Sequence, residues 1–312
     1  MVALTAVVAG LTYDLNDGDE IRLLDYDLGL ASVRRLGQRF PSQHGDSDLG
    51  YRFDPRYLDL FWAIHGSSLA NYLAIRETIM TVFQPRDNDA VQLIFDYDGT
   101  QRAVDVNLEG ELLWRDRIEL VEMVSGTFKA SDPRLYDPTY HTLLFSLEAG
   151  GVAPTGWPIP WPIPWAVGTD VLNMAIDVPY AGLSRLGAPE YPVIRIFGPI
   201  DTPVITNETT GEVIDLSDNG GLALADPTEW VEIDLANPPR RDAKTILDQD
   251  GNSAEQYLTT ASDFSTWHIA PAGELLSTGA YCTGTNTLRI YGTGVTSETV
   301  ATIRYFDRYH GI

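Results

Sequence analysis

The chain has 312 residues, 44% of them hydrophobic, and a formal net charge of −23 from 44 acids against 21 bases. That length and apolar content suit one large all-β domain or two smaller ones, each with a real core. The acid excess repels phosphate and argues against nucleic-acid binding by charge, while the single cysteine, Cys282, excludes an intrachain disulfide and a cysteine-based zinc site.

Residues 1–10 are mildly apolar, lack a basic start and are soon followed by Asp14 and Asp17, so they read as a first strand rather than a signal peptide. No run of about 18 apolar residues appears, so no membrane span is expected. After the turn Asn16-Asp17-Gly18, Ile21 and Leu23 open a second alternating run. The next thirty residues differ. Residues 29–59, GLASVRRLGQRFPSQHGDSDLGYRFDPRYLD, carry Arg34, Arg35, Arg39, Arg52 and Arg56 around a Gly-, Ser- and Asp-rich centre with His44. This composition suits an extended arm that grips an acidic neighbour, or an ordinary long surface loop. His44 reads as a turn or interface residue.

One stretch is helical. Ser67 or Ser68 can cap it, and Leu69, Leu73, Arg76, Ile79 and Met80 carry it toward Phe83 and a stop before Pro85. Runs at residues 91–96 and 102–107 flank Asp98-Gly99, a strong hairpin signal. Further strands are expected at 118–129, 142–147 and 171–178. Between the last two, GGVAPTGWPIPWPIP and Trp165 interleave Trp157, Trp161 and Trp165 with proline. Proline lacks a donor and fixes φ, so this segment reads as polyproline-like. Its indoles cover either their own domain's edge or a neighbouring subunit.

A linker composition at residues 185–192 places a domain boundary there, giving domains 1–188 and 189–312. The second domain restarts as β structure, with strands at 193–197, 203–207, 212–215, 230–234, 244–248, 288–291 and 299–308. Their rhythm of about ten residues per strand and turn fits a sandwich or jelly roll. Trp230, Tyr257, Trp267 and Tyr281 are candidates for stacking on sugar rings, or else core and rim aromatics.

No catalytic constellation emerges. The five histidines, His44, His65, His141, His268 and His310, have no metal-ligand spacing. Two acid clusters, Asp14 to Asp19 and Asp248 to Asn252, lack the glycine and glutamate positions of a calcium loop and read as hairpin turns. No catalytic residue, metal site or cofactor is expected.

The order of these pieces resembles the distal tail proteins of long-tailed, non-contractile phages. The likeness rests on LGLASVRRLGQRFPSQHGDSDLGYRFDPR, the single helix, LIFDYDGTQRAVDV, DPRLYDP and PIPWAVG. It continues through PVIRIFGPIDTPVITNETTGEVIDL, WVEIDL, a DGN turn and SDFSTWHIAPAGE. Residues 275–284 depart from it as an extra loop. The resemblance implies an all-β chain with one helix: a sandwich- or barrel-like N-terminal ring domain with an arm, and a galectin-like C-terminal sandwich. It further implies a non-enzymatic homohexameric ring, single or stacked, at the tail tip of the virion. Its partners would be the tail tube protein, the tip hub and the tape-measure protein, with DNA passing through the lumen unbound. The alternative is a carbohydrate-binding, host-recognition module acting through the C-terminal sandwich.

Overall fold

A computed structural model describes residues 2–28, 31–38, 47–86, 90–147, 171–177, 187–236 and 244–311. The described chain is all β with one α-helix, and it divides into two compact units. The first runs to Thr139 and includes the C-terminal residues from Arg308; the second holds Tyr140–Ala236 and Ala243–Asp307.

The first unit contains β1 (Ala3–Val8), β2 (Leu11–Asp14), β3 (Ile21–Asp25), β4 (Val33–Gln38), β5 (Ser47–Phe53) and β6 (Arg56–His65). After these come α1 (Leu69–Val82), β7 (Val91–Tyr97), β8 (Thr100–Ile118), β9 (Val121–Ala130) and β10 (Leu135–Tyr136). Antiparallel pairing gives the order β2-β1-β7-β8-β9-β6-β3. The 19-residue β8 pairs with β7 through Val106 and with β9 from Asn107 onward, so one strand serves two parts of the sheet. Asp98 (φ 56°) and Gly99 (φ 89°) form the expected hairpin turn, whose two positive φ angles match the right-handed strand twist. The strand expected at 118–129 is interrupted by a turn at Glu119 (φ 55°), which ends β8 and starts β9.

Ser68 caps α1, its hydroxyl accepting from the Asn71 N–H. The sequence is apolar on more than one face: of the residues expected to carry the helix, Ile79 is buried together with Tyr72, Ile75 and Val82, whereas Leu69, Leu73 and Met80 are exposed. Two contacts fix this rotation. The Tyr72 hydroxyl donates to buried Glu122, which Arg76 also pairs at 3.2 Å. Tyr72 also lies against Gly66, where an added Cβ would meet the Tyr72 Cβ at 2.4 Å and its Cα at 2.7 Å. Gly66→Ala is therefore expected to cost about 1–3 kcal/mol, since the helix start must shift. A chemical-denaturation midpoint lowered by less than a tenth would contradict this.

The second unit contains β11 (His141–Leu147), β12 (Val171–Asp177), β13 (Val193–Phe197), β14 (Ile200–Asn207) and β15 (Glu212–Asp215). It continues with β16 (Ala223–Leu224), β17 (Trp230–Asp234), β18 (Thr245–Asp248), β19 (Thr285–Thr293) and β20 (Val300–Tyr305). One sheet runs β11-β20-β13-β17-β18 and the other β15-β14-β19-β12, with β11 joining both. Their inward side chains, among them Ile194, Ile196, Ile205, Val231, Ile290 and Ile303, form one core around Trp267. The result is a β-sandwich. The contacts divide at Thr139/Tyr140, not at 188/189 as expected, because β11 and β12 pair with β20 and β19. Chain composition marks linkers, whereas the pairing partners of these two strands lie over a hundred residues away in sequence. The last strand, β21 (Arg308–Tyr309), pairs with β10 in the first unit.

Candidate functional site

The segment read as an arm holds two strands. β4 and β5 form a two-stranded sheet of their own, joined to no other strand among the described residues. Val33 faces Phe53, Arg34 faces Arg52 and Gln38 faces Ser47, with an irregularity between Arg35 and Gly37. Every residue of β4 is exposed, including the apolar Val33 and Leu36. A lone two-stranded ribbon is marginally stable in water, and two arginines directly opposite each other repel. Arg52 lies 3.9 Å from Asp54, with both side chains largely exposed, so this pair offsets little. Such a ribbon is better suited to being covered and neutralised by another surface. Arg39 and His44 fall outside the described residues.

Arg56 is not an arm residue, contrary to expectation. It opens β6 and is only 4% exposed. Its Nε donates to the Pro133 carbonyl at 2.8 Å, Nη1 to the Leu28 carbonyl at 3.1 Å and Nη2 to the His310 carbonyl at 2.8 Å. One guanidinium thus ties together the chain before the arm, the chain after β9 and the C-terminal strand. Burial lowers its pKa, and Asp27 and Asp132 oppose the shift. The Phe53 ring stacks on His310 at 4.4 Å, and Asp54 N–H donates to the Ser32 carbonyl, closing the base of the ribbon.

Asp132, in the DPRLYDP phrase, holds the same region from the other side. It accepts from Arg134 at 2.7 Å and Arg308 at 2.9 Å. Burial alone would raise its pKa, but these two guanidiniums hold it below the usual carboxylate value.

The aromatic residues separate. Trp157, Trp161 and Trp165 lie outside the described residues. Trp267 is fully buried in the sandwich core, which removes it as a sugar-stacking platform. Alternation alone could not assign it, because it sits in irregular chain between strands. Tyr257 is half-buried against that core, and Trp230 lies under Arg195 at 4.3 Å while Arg195 pairs with Glu232 at 2.6 Å. Tyr281 is exposed, bridged to Leu275 across the extra loop.

That loop is fastened by a charge cluster the sequence reading missed. His268 sits between Glu212 at 3.0 Å and Glu274 at 2.8 Å. Burial would lower its pKa, but the bonds to the two glutamates raise it to about 10. Glu212, despite its burial, is held below its ordinary value by His268. The histidine contribution is complete below its unfolded pKa near 6.5 and is lost as pH rises toward 10. The Glu212 contribution is present above its unfolded value near 4.3 and is lost as pH falls through the depressed one. The stability gap between the native chain and His268→Gln is therefore expected to be widest from about pH 5 to 6.5 and to close toward pH 10. A gap independent of pH in thermal melts would refute the paired arrangement.

The acid-rich stretches are turns. Asp17 Oδ1 accepts from the N–H groups of Asp19, Glu20 and Ile21, and Asp248 Oδ1 from those of Asp250 and Asn252. Each carboxylate is committed to its own backbone, the local bonding that favours aspartate in turns.

No family model matches the sequence, and no curated protein matches it either. Among solved structures, the chain is similar to the Dit protein of phage SPP1, described as a paradigm of the hub adsorption apparatus in phages infecting Gram-positive bacteria. The TM-score is 0.54 at 13% identity, over 98% of this chain and 99% of that one. It also matches a chain of the phage P2 baseplate in its activated, calcium-containing conformation, at 12% identity and a TM-score of 0.47, over 97% and 98% of the two chains. The fold of a phage Dit protein thus extends along nearly the whole chain.

Proposed function

We infer that this chain is a structural, non-enzymatic ring subunit at the distal end of a long non-contractile phage tail, joining the tail tube to the tip hub. The observation that carries the reading is the end-to-end match to a hub protein of a phage adsorption apparatus. Six copies would close through their first units, with the second, galectin-like units attached to that ring. The tape-measure protein and then DNA would pass through the opening without specific binding. A net charge of −23 per copy suits that passage, because like charge prevents adhesion at close range, within a Debye length of about 8 Å. Ring closure needs two different patches on each subunit, and an arginine-bearing ribbon supplies one of them. The proposed location is the virion tail tip, with assembly in the host cytoplasm.

The test is the mass and image of the purified chain. A six-fold annulus, single or stacked, is expected by light scattering and negative-stain microscopy. A monomer at every concentration would overturn the reading.

A further inference from the structure

The base of the ribbon rests on a side chain that can change charge near neutral pH. His310 follows β21, and its ring stacks on Phe53, the last residue of β5, at 4.4 Å with 25° between the planes. Its carbonyl accepts from Arg56 Nη2 at 2.8 Å. The described segments around it bring several charges. β6 supplies Arg56, and the chain before the ribbon supplies Asp27 beside it. The chain after β9 supplies Asp132 and Arg134, and β21 supplies Arg308. β5 leads into the exposed pair Arg52 and Asp54, 3.9 Å apart. Asp132 already accepts from both Arg134 and Arg308. A proton added to the imidazole would therefore join the Arg56 and Arg134 guanidiniums, with the nearest opposing carboxylate in use.

We propose that His310 is a pH-sensitive latch for the ribbon: the neutral imidazole keeps Phe53 stacked at the ribbon base, and protonation releases it. The stack is the contact that yields. The ribbon joins no other strand among the described residues, and it sets Arg34 against Arg52, whereas Arg56 is buried and bonded to three carbonyls. Attraction of an imidazolium to the Phe53 face is weak beside the cost of holding that charge out of water next to two guanidiniums. Burial, then Arg134 and Arg56, hold the imidazole below its ordinary value, against Asp132. Its contribution is complete above the unfolded pKa near 6.5 and is lost as pH falls through the depressed one. Asp132 stays ionised across this range, because its own value is held below that of an ordinary carboxylate. The latch lies within one chain, and its bearing on assembly rests on the ring reading: acid frees the ribbon and weakens ring closure.

The test uses the full-length chain and two substitutions. His310→Phe keeps an aromatic ring and cannot titrate, and His310→Lys is charged throughout. Amide exchange over residues 47–55 is read by mass spectrometry at about pH 7.5 and about pH 5, on either side of the histidine range. It is measured below the assembly concentration and corrected for the intrinsic effect of pH. In the native chain the corrected rate is expected to rise at least about threefold on acidification, while α1 stays unchanged. His310→Phe should exchange slowly at both values and His310→Lys rapidly at both; should the lysine chain not fold, the phenylalanine chain alone decides. A native ribbon indifferent to pH, or an equal response in His310→Phe, overturns the latch. Light scattering gives the second readout. The native concentration for half-assembly should rise about tenfold on acidification, and that of His310→Phe should hold. Exchange that responds to pH in a chain that never forms rings overturns the ring reading and leaves the latch. Rings that ignore pH while exchange responds overturn the latch's part in assembly.

Discussion

Replacing residues 34–52 by an Asn-Gly turn should leave a folded chain that no longer forms rings. The cut follows the register: Val33 and Phe53 are opposite each other at the base of the ribbon, so a two-residue turn can join them. Phe53, Asp54 and Arg56 stay, and with them the His310 stack, the Ser32 contact and the guanidinium bonds. A wider deletion through residue 57 would confuse assembly with stability by removing Arg56. The unfolding midpoint should move by only a few degrees, because a ribbon whose β4 residues are all exposed, and which is joined to no other strand among the described residues, contributes little to the core. Light scattering should give the mass of one chain at concentrations where the native protein is annular. Persistent rings would show that the ribbon is not the closing element.

The second large effect is expected at Arg56. Substitution by alanine leaves the carbonyls of Leu28, Pro133 and His310 without their donor in a buried place, and removes the side chain that joins three chain segments. Charge-assisted bonds of this kind are the costly ones to break, and the combined loss should be about 3–5 kcal/mol, or roughly 10 °C in the melting of the first unit. Lysine should recover only part of it, since one ammonium cannot reproduce a planar fork aimed at three acceptors. Arg52→Ala, on the exposed ribbon, should change stability by less than about 0.5 kcal/mol while reducing assembly. The two neighbouring arginines thus separate by readout: melting temperature for Arg56, association for Arg52. An Arg56→Ala chain as stable as the native one would refute the anchoring role.

Both results concern residues that look alike in the sequence and differ in the fold. Arg34, Arg35, Arg52 and Arg56 share one basic segment. Only tertiary structure distinguishes the last, because its partners come from Leu28, Pro133 and His310, remote in the chain. The same reason explains the helix. Its cap and its end before Pro85 are local chemistry and are readable from Ser68 and the proline. Which of its apolar faces turns inward depends on Gly66, Glu122 and β6, and no periodicity within α1 carries that information. β6 itself was readable, since Leu58, Leu60, Trp62 and Ile64 alternate strictly, but the arginine-rich run before it drew the boundary of the arm too far. β2 was hidden by its turn, Ala9-Gly10, which adopts the two positive φ angles of a tight hairpin without asparagine or aspartate.

By itself the sequence determined the all-β class, the single helix, the Asp98-Gly99 hairpin and strands such as β13, β15 and β17. Each depends on alternation and turn residues that act within about ten positions. Tertiary structure alone decided that β11 and β12 belong to the second unit and that β21 returns to the first. It also decided that His268 joins two glutamates and that Trp267 lies in a core. These follow from strand pairing and packing between segments far apart in sequence, where the free energy of a contact depends on what burial brings opposite it.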